Sequence, residues 1–296
     1  MLVDLSHIKS GFSDKLRAIT FFIAATKLLK LKLFLKIYEK QNFQCPFRFV
    51  DYCKIKNFKF KKIKSINNKI RDNNIVLNSY DSEMNIENCK KHNRFNNINN
   101  YQLLNMWKSS YRDIIPNISL KKKIKKINLP KKFIGIHIRS TDRIIDFRRI
   151  ILDLQLKDMF FNFQLSSFEK NLHLIIKKNT NIKNIYIASD EEEFKNKIIE
   201  NLKKRGFAVY YNKCKYNPSR YRKTSGADFL IDLFCLSASR IIFTTVGGGV
   251  PYTAQIMSSK KILIINWVNQ INIFIFLKIF IYLIYYLKRL KFRFLN

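Results

Sequence analysis

Phe133-Ile134-Gly135-Ile136-His137-Ile138-Arg139-Ser140-Thr141-Asp142-Arg143 follows shortly after Pro130 and changes character half-way along. Phe133 to Ile138 is a compact apolar run of the length of a buried strand, and polar and charged residues take over at once. His137, Arg139 and Asp142 therefore stand at or just beyond a strand end. There the planar fork of Arg139 suits a diphosphate, and Asp142 can fix a neighbour. A loop salt bridge uses the same residue types, so the residues by themselves leave both readings open.

Going towards the carboxyl end, the same punctuation repeats. Ser166 to Lys178 reads as a helix and Ile185 to Ala188 as another buried strand. Asp190 and Glu193 have the spacing of a capping box for a helix through Lys204, which Gly206 ends. Phe207 to Tyr211, Arg240 to Thr244 and Lys261 to Ile265 read as strands, with helices at Ala227 to Ser237 and Val250 to Met257 between them. Strict alternation of short apolar strands with helices predicts a parallel sheet covered on both faces, an α/β fold whose ligands bind at the carboxyl ends of the strands.

Towards the amino end the signal is thinner. Leu2 to Leu5 is a short apolar stretch, followed by the loop Ser10-Gly11-Phe12-Ser13, a helix carried by Leu16, Ile19 and Ile23, and a strand over Leu33 to Tyr38. Residues 55 to 100 are rich in Lys and Asn with scattered apolar positions, which predicts a mobile surface region or an irregular insertion. The expected organisation is a first α/β domain over 1–125 containing that insertion, a second over 126–265, and a tail over 266–296.

In the tail, Ile273 to Leu287 is nearly all apolar and aromatic, and the basic cluster Lys288 to Arg293 follows. As a helix, that apolar stretch would span roughly 22 Å, short of the roughly 30 Å hydrocarbon core. Two readings remain, a core helix or a surface-lying or partly inserted anchor whose basic residues meet anionic headgroups, and residues 271–293 are expected to take the second role.

With 47% apolar and 14% aromatic residues in 296, the chain is far from compositions that stay unfolded. Its net charge of +35 favours anionic partners, but the excess is mostly Lys spread along the whole chain, the pattern of compositional drift, so no specific nucleic-acid partner is expected. Cys45, Cys53, Cys89, Cys214 and Cys235 are odd in number and widely spaced, which points to a reduced, cytoplasmic setting rather than a disulfide framework or zinc site. The first residues, with Asp4 and Asp14, lack the pattern of a secretory signal.

Glycine is scarce, seven in the chain, so its placement informs. Gly247, Gly248 and Gly249 lie between an expected strand and an expected helix, where backbone N–H groups can approach an anion and the helix start adds partial positive charge. A tight structural turn accounts for the same run.

His-x-Arg-x-x-Asp at the end of an Ile-Gly-Ile strand resembles the motif shared by α1,6-fucosyltransferases, nodulation fucosyltransferases and protein O-fucosyltransferases. The resemblance implies that Arg139 binds the β-phosphate of GDP-fucose and is required for activity, and that His137 contacts the donor nucleotide. Ile185 to Asp190 resembles the family's strand ending in Ala-Thr-Asp-Asp. Leu230 to Ser237, with the strand after it, resembles its Leu-Asp-x-x-x-Leu-Ser segment, which puts Asp232 at the guanine. Gly11 to Arg17 resembles the family's opening loop and helix, making Gly11 and Arg17 candidates at an interdomain cleft. Two departures stand out. Val246-Gly247 occupies the place of a Ser-Ser pair, and Phe147 the place of the proposed carboxylate base, so Asp146, one position away, is the candidate base.

The family implies two Rossmann-like domains in a GT-B-like arrangement, and transfer of fucose from GDP-fucose to a saccharide hydroxyl with inversion; the C-terminal apolar and basic helical tail is read from this sequence and is not part of the resemblance. Arg139 and Asp146 would be catalytic; His137, Asp142, Asp190, Asp232, Gly247, Gly248, Gly11 and Arg17 would bind the donor. No Asp-x-Asp metal motif occurs, so neither a metal nor another cofactor is expected. The acceptor expected is a saccharide or lipid-linked saccharide. Two rivals are a different nucleotide sugar on the same scaffold and a non-catalytic basic protein binding nucleic acid or membrane surfaces, whose binding would fall steeply with salt.

Overall fold

The computed structural model describes residues 2–4, 12–32, 34–36, 52–56, 61–63, 76–78, 98–138, 168–174, 176–177, 181–190, 192–214, 224–245, 249–266 and 282–283. In chain order the elements are β1 (Leu2–Asp4), α1 (Phe12–Leu28), β2 (Phe34–Lys36), β3 (Cys53–Ile55), β4 (Lys61–Ile63), β5 (Val76–Asn78), α2 (Asn100–Arg112), β6 (Ile114–Pro116) and α3 (Ile118–Lys126). There follow β7 (Ile134–Ile138), β8 (Asn184–Ser189), α4 (Glu192–Lys204), β9 (Ala208–Tyr211), α5 (Gly226–Ser237), β10 (Ile241–Thr244), α6 (Gly249–Met257) and β11 (Leu263–Asn266). The chain divides into two compact units. One takes β1 to α3 together with α5 and α6; the other takes β7, β8, α4, β9, β10 and β11.

In the first unit, four strands form a parallel sheet in the order β4-β2-β1-β5. Helix α1 is apolar on nearly all sides and buries Leu16, Ile19, Phe21, Phe22, Ile23 and Ala25, as a core helix does. Its two interior threonines do not waste their hydroxyls: Thr20 and Thr26 donate back to the carbonyls of Leu16 and Phe22 at 2.8 Å each. Helix α2 lies on it, with the Trp107 Nε1–H donating to Thr20 Oγ1 at 3.0 Å and the Trp107 ring edge-on to Phe21. Asn117 caps α3 by accepting from the Leu120 N–H at 2.8 Å, and Ser225 caps α5 by accepting from the Asp228 N–H at 3.1 Å.

This differs from expectation at two places. Residues 55 to 100 were expected to be irregular, yet they supply β4 and β5 to the sheet. A three-residue strand such as Lys61-Lys62-Ile63 is held by backbone hydrogen bonds to its neighbour and is too short to show an alternating side-chain pattern. Likewise, α5 and α6, expected with the later strands, fall in the first unit, because α5 packs on α3 and α6, and α6 on α1 and α2. The Arg112 side chain at the end of α2 reaches the carbonyl of Ile256 on α6.

In the second unit the order is β11-β10-β7-β8-β9, again all parallel. Numbered by appearance within each sheet, the two orders become 3-2-1-4 and 3-2-1-4-5, the sequence of doubly wound sheets. Every residue of β7 is buried, as expected of a strand covered on both faces. Ile136, Ile138, Ile185, Ile187 and Phe243 share one face of this sheet and meet Phe168, Leu172 and the apolar stripe Phe194, Ile198, Ile199 and Leu202 of α4. Phe168 sits at the middle, 4.8 Å from the Phe243 ring and 5.9 Å from that of Phe194.

Helix α4 ends as its sequence demands. Gly206 takes φ +80, its N–H donates to the Lys203 carbonyl at 2.9 Å, and the Phe207 N–H reaches back to Leu202 at 3.1 Å. That pair of bonds is a Schellman closure, which needs a left-handed residue and so favours glycine. Asp190, expected to begin a capping box, lies at the bend after β8, two positions before the first helical residue.

Candidate active site at the strand switch

In the five-stranded sheet the chain leaves β7 to form β8 on one side, whereas β10, the other neighbour of β7, is followed by β11 on the opposite side. The β7/β10 border is thus the topological switch point, where connections diverge and leave a crevice beyond the carboxyl ends of the strands. His137 and Thr244 face each other across that border. His137 Nδ1 lies 3.1 Å from Thr244 Oγ1, and the Thr245 N–H donates to the His137 carbonyl at 3.1 Å.

Side chains alternate along a strand, so His137 and Thr244 share the sheet face turned away from α4. Ala188 of β8 is the register partner of His137 on its other side, and Gly135 precedes it on the same face. A large imidazole flanked by small residues on two sides and hydrogen-bonded on the third is held in one orientation. His137 is 7% exposed and Thr244 fully buried, so little water competes for their bond. Ser189, the last residue of β8, and Thr245, the first after β10, are also buried at this edge. Such an edge offers a ring nitrogen, hydroxyls and strand-end backbone groups, the means of holding a polar, anionic ligand rather than an apolar one.

Among the candidates from sequence, His137 and Asp190 come together on this edge, since Ile138 pairs with Ser189 and Asp190 is the next residue. Arg139, Asp142, Asp146, Gly247, Gly248 and Gly11 lie outside the described residues. Arg17 and Asp232 belong to the other unit. Arg17 is exposed on the second turn of α1. Asp232 is 8% exposed on α5, among Leu230, Ile231, Leu233 and Leu236. One turn before it, Asp228 accepts from Asn212 at 3.0 Å and from the Ser225 hydroxyl at 2.6 Å.

Gly249 opens α6, and a Cβ placed there would come 3.2 Å from Ser13 Cβ in the first turn of α1. The glycine allows two helix starts to approach closely. Thr244 and Thr245 were not singled out in the sequence. Their signal is a hydroxyl pair between an apolar strand and a glycine run, which becomes meaningful only once β10 is known to lie beside β7. Among the described residues no group of three or more His, Cys, Asp or Glu side chains could hold a metal ion, and no helix is long and apolar enough to cross a membrane.

No protein-family model and no curated protein matches the sequence. Solved structures do match. The fucosyltransferase NodZ from Bradyrhizobium superposes with a TM-score of 0.53 at 12% identity, over 87% of this chain and 93% of that one. NodZ α-1,6-fucosyltransferase soaked with GDP-fucose gives 0.50, also at 12% identity, over 87% and 92%. POFUT1 in its apo form gives 0.53 at 9% identity, over 89% and 97%. The chain shares the fucosyltransferase fold. The agreement runs along nearly the full length of each neighbour. At such identities the shared fold places elements and leaves residue roles to chemistry.

Proposed function

We propose that this chain is a glycosyltransferase that moves fucose from GDP-fucose to a hydroxyl of a saccharide or lipid-linked saccharide. One observation carries the reading: the buried His137–Thr244 pair stands at the switch point of a doubly wound sheet in a fucosyltransferase-like fold. That is where such sheets take nucleotide ligands. The two sheets would belong to two Rossmann-like domains in a GT-B-like arrangement, near 1–125 and 126–265 along the chain, with α5 and α6 contributing to the first. Five widely spaced cysteines, odd in number, suit a reducing, cytoplasmic setting. Residues 271–293 would attach it to an anionic membrane surface; of these the described ones are Tyr282 and Leu283, both exposed.

The reaction is a single displacement with inversion, and no metal enters it. The acceptor oxygen attacks the anomeric carbon as the bond from that carbon to the diphosphate oxygen breaks, and GDP leaves with the electron pair. Asp146 takes the acceptor proton, and Arg139 stabilises the charge growing on the departing phosphate. His137, Asp142, Asp190, Gly247 and Gly248 hold the donor beyond the strand ends, Asp232 reads the guanine, and Gly11 and Arg17 complete the donor site.

Thermal melting with GDP and GDP-fucose tests this directly. Both should raise the melting temperature, and Arg139→Ala should abolish transfer while the apo protein melts unchanged. Stabilisation by a different nucleoside diphosphate sugar, with none by GDP, would replace the donor. Absence of stabilisation by any nucleotide would sink the reading.

A further inference from the structure

Helix α3 carries Lys121, Lys122, Lys123, Lys125 and Lys126, all exposed, and no acidic residue lies between Asn117 and Ile127. At about 3.6 residues per turn, the lysines cover an arc of roughly 200°, with Leu120, Ile124 and Ile127 on the opposite side. Leu120 is 1% exposed, so the apolar side is already spent against the protein. The basic side is what the helix offers outwards. Compositional drift does not explain it, because α4 of the same chain mixes Glu192, Glu193 and Glu200 with Lys195, Lys197, Lys203 and Lys204.

A second feature selects among anionic partners. Ile118 opens the helix and is 76% exposed, although its spacing puts it inside the basic arc, one turn from Lys121 and Lys122 and two turns from Lys125. Exposing a branched aliphatic side chain amid lysines gains nothing in water or against a phosphate backbone. Against a bilayer, the lysines meet anionic headgroups while the isoleucine enters the acyl boundary.

The geometry points to α3 as a peripheral membrane-docking face for an anionic phospholipid bilayer, separate from the residues of the donor site and from the tail. It does not depend on the transfer reaction, so a protein that fails to bind GDP still tests it. The full chain is sedimented with phosphatidylcholine vesicles with and without phosphatidylserine. Lys121, Lys122 and Lys125 are changed together to Gln, and a control changes Lys203, Lys204 and Arg205 to Gln for the same loss of charge; the tail is intact in both.

A lysine near an anionic surface contributes about fivefold to partitioning, so the α3 variant should bind on the order of 100-fold more weakly while the control keeps most of its binding. Ile118→Ser should weaken vesicle binding about tenfold and leave heparin binding unchanged. Equal losses in the α3 variant and the control would overturn the proposal, as would binding to neutral vesicles as strong as to anionic ones. Preference for single-stranded RNA over vesicles, indifferent to Ile118→Ser, would also overturn it. Melting of each variant at the wild-type temperature shows that the changes act at the surface.

Discussion

Thr244→Val is the most discriminating single change at the switch point. It keeps the shape of the side chain and removes the hydroxyl that sits 3.1 Å from His137 Nδ1, in a place where Thr244 is 0% and His137 7% exposed. No cavity forms, so the cost is that of taking a partner from a buried ring nitrogen, about 1–3 kcal/mol. Thr244→Ser makes the complementary change: it keeps the hydroxyl and deletes a methyl group, for about 1 kcal/mol of lost burial. Urea unfolding followed by circular dichroism reads both costs, and the slope of each curve should match that of the wild type. The two variants should then separate in nucleotide binding. Without the Thr244 hydroxyl, the imidazole of the Val variant loses one of the contacts that orient it, and a loss of about 1 kcal/mol in ligand interaction raises the Kd for GDP about fivefold. The Ser variant should bind GDP as the wild type does. Indistinguishable Kd values for Val and Ser would show that the His137–Thr244 bond is a packing detail and not part of a ligand site.

Two further outcomes follow from local physics. Gly206→Ala should lower stability by about 1 kcal/mol, because a Cβ there meets open space but the residue must keep φ +80; an unchanged urea midpoint would mean that the end of α4 rearranges freely. Burial pushes the Cys53 thiol from 9.0 up to about 12. The folded state then holds a proton that the unfolded chain releases, so the contribution is full below about pH 9 and is lost as pH rises towards about 12. Wild-type stability should fall through that window by up to a few kcal/mol more than that of Cys53→Ala, measured by urea unfolding at each pH; parallel curves would show that the thiol is not protected by burial.

Much of the second sheet was legible in the sequence because its strands and helices announce themselves locally. Ile134-Gly135-Ile136-His137-Ile138 reads as a strand buried on both faces, Phe194, Ile198 and Leu202 as a helix stripe, and Gly206 as a helix end, each from side-chain periodicity and backbone freedom within a few residues. His137 was legible for the same reason, as a polar residue at an apolar strand end. The strands at Lys61–Ile63 and Val76–Asn78 were not, because they are three residues long and rest on backbone bonds to a neighbour.

The order of the strands was decided by tertiary structure alone. Local patterns say that Ile241–Thr244 is a strand and nothing about where it goes. Crossover connections carry β10 past β8 and β9 to the free side of β7, and only that places Thr244 against His137, 107 positions away in the chain. The pattern of residues therefore determined the class of fold and put His137 at a strand end. Tertiary packing determined which strand ends meet there, because strand order depends on how whole elements such as β7, β8 and α4 bury their apolar faces together and not on any one of them.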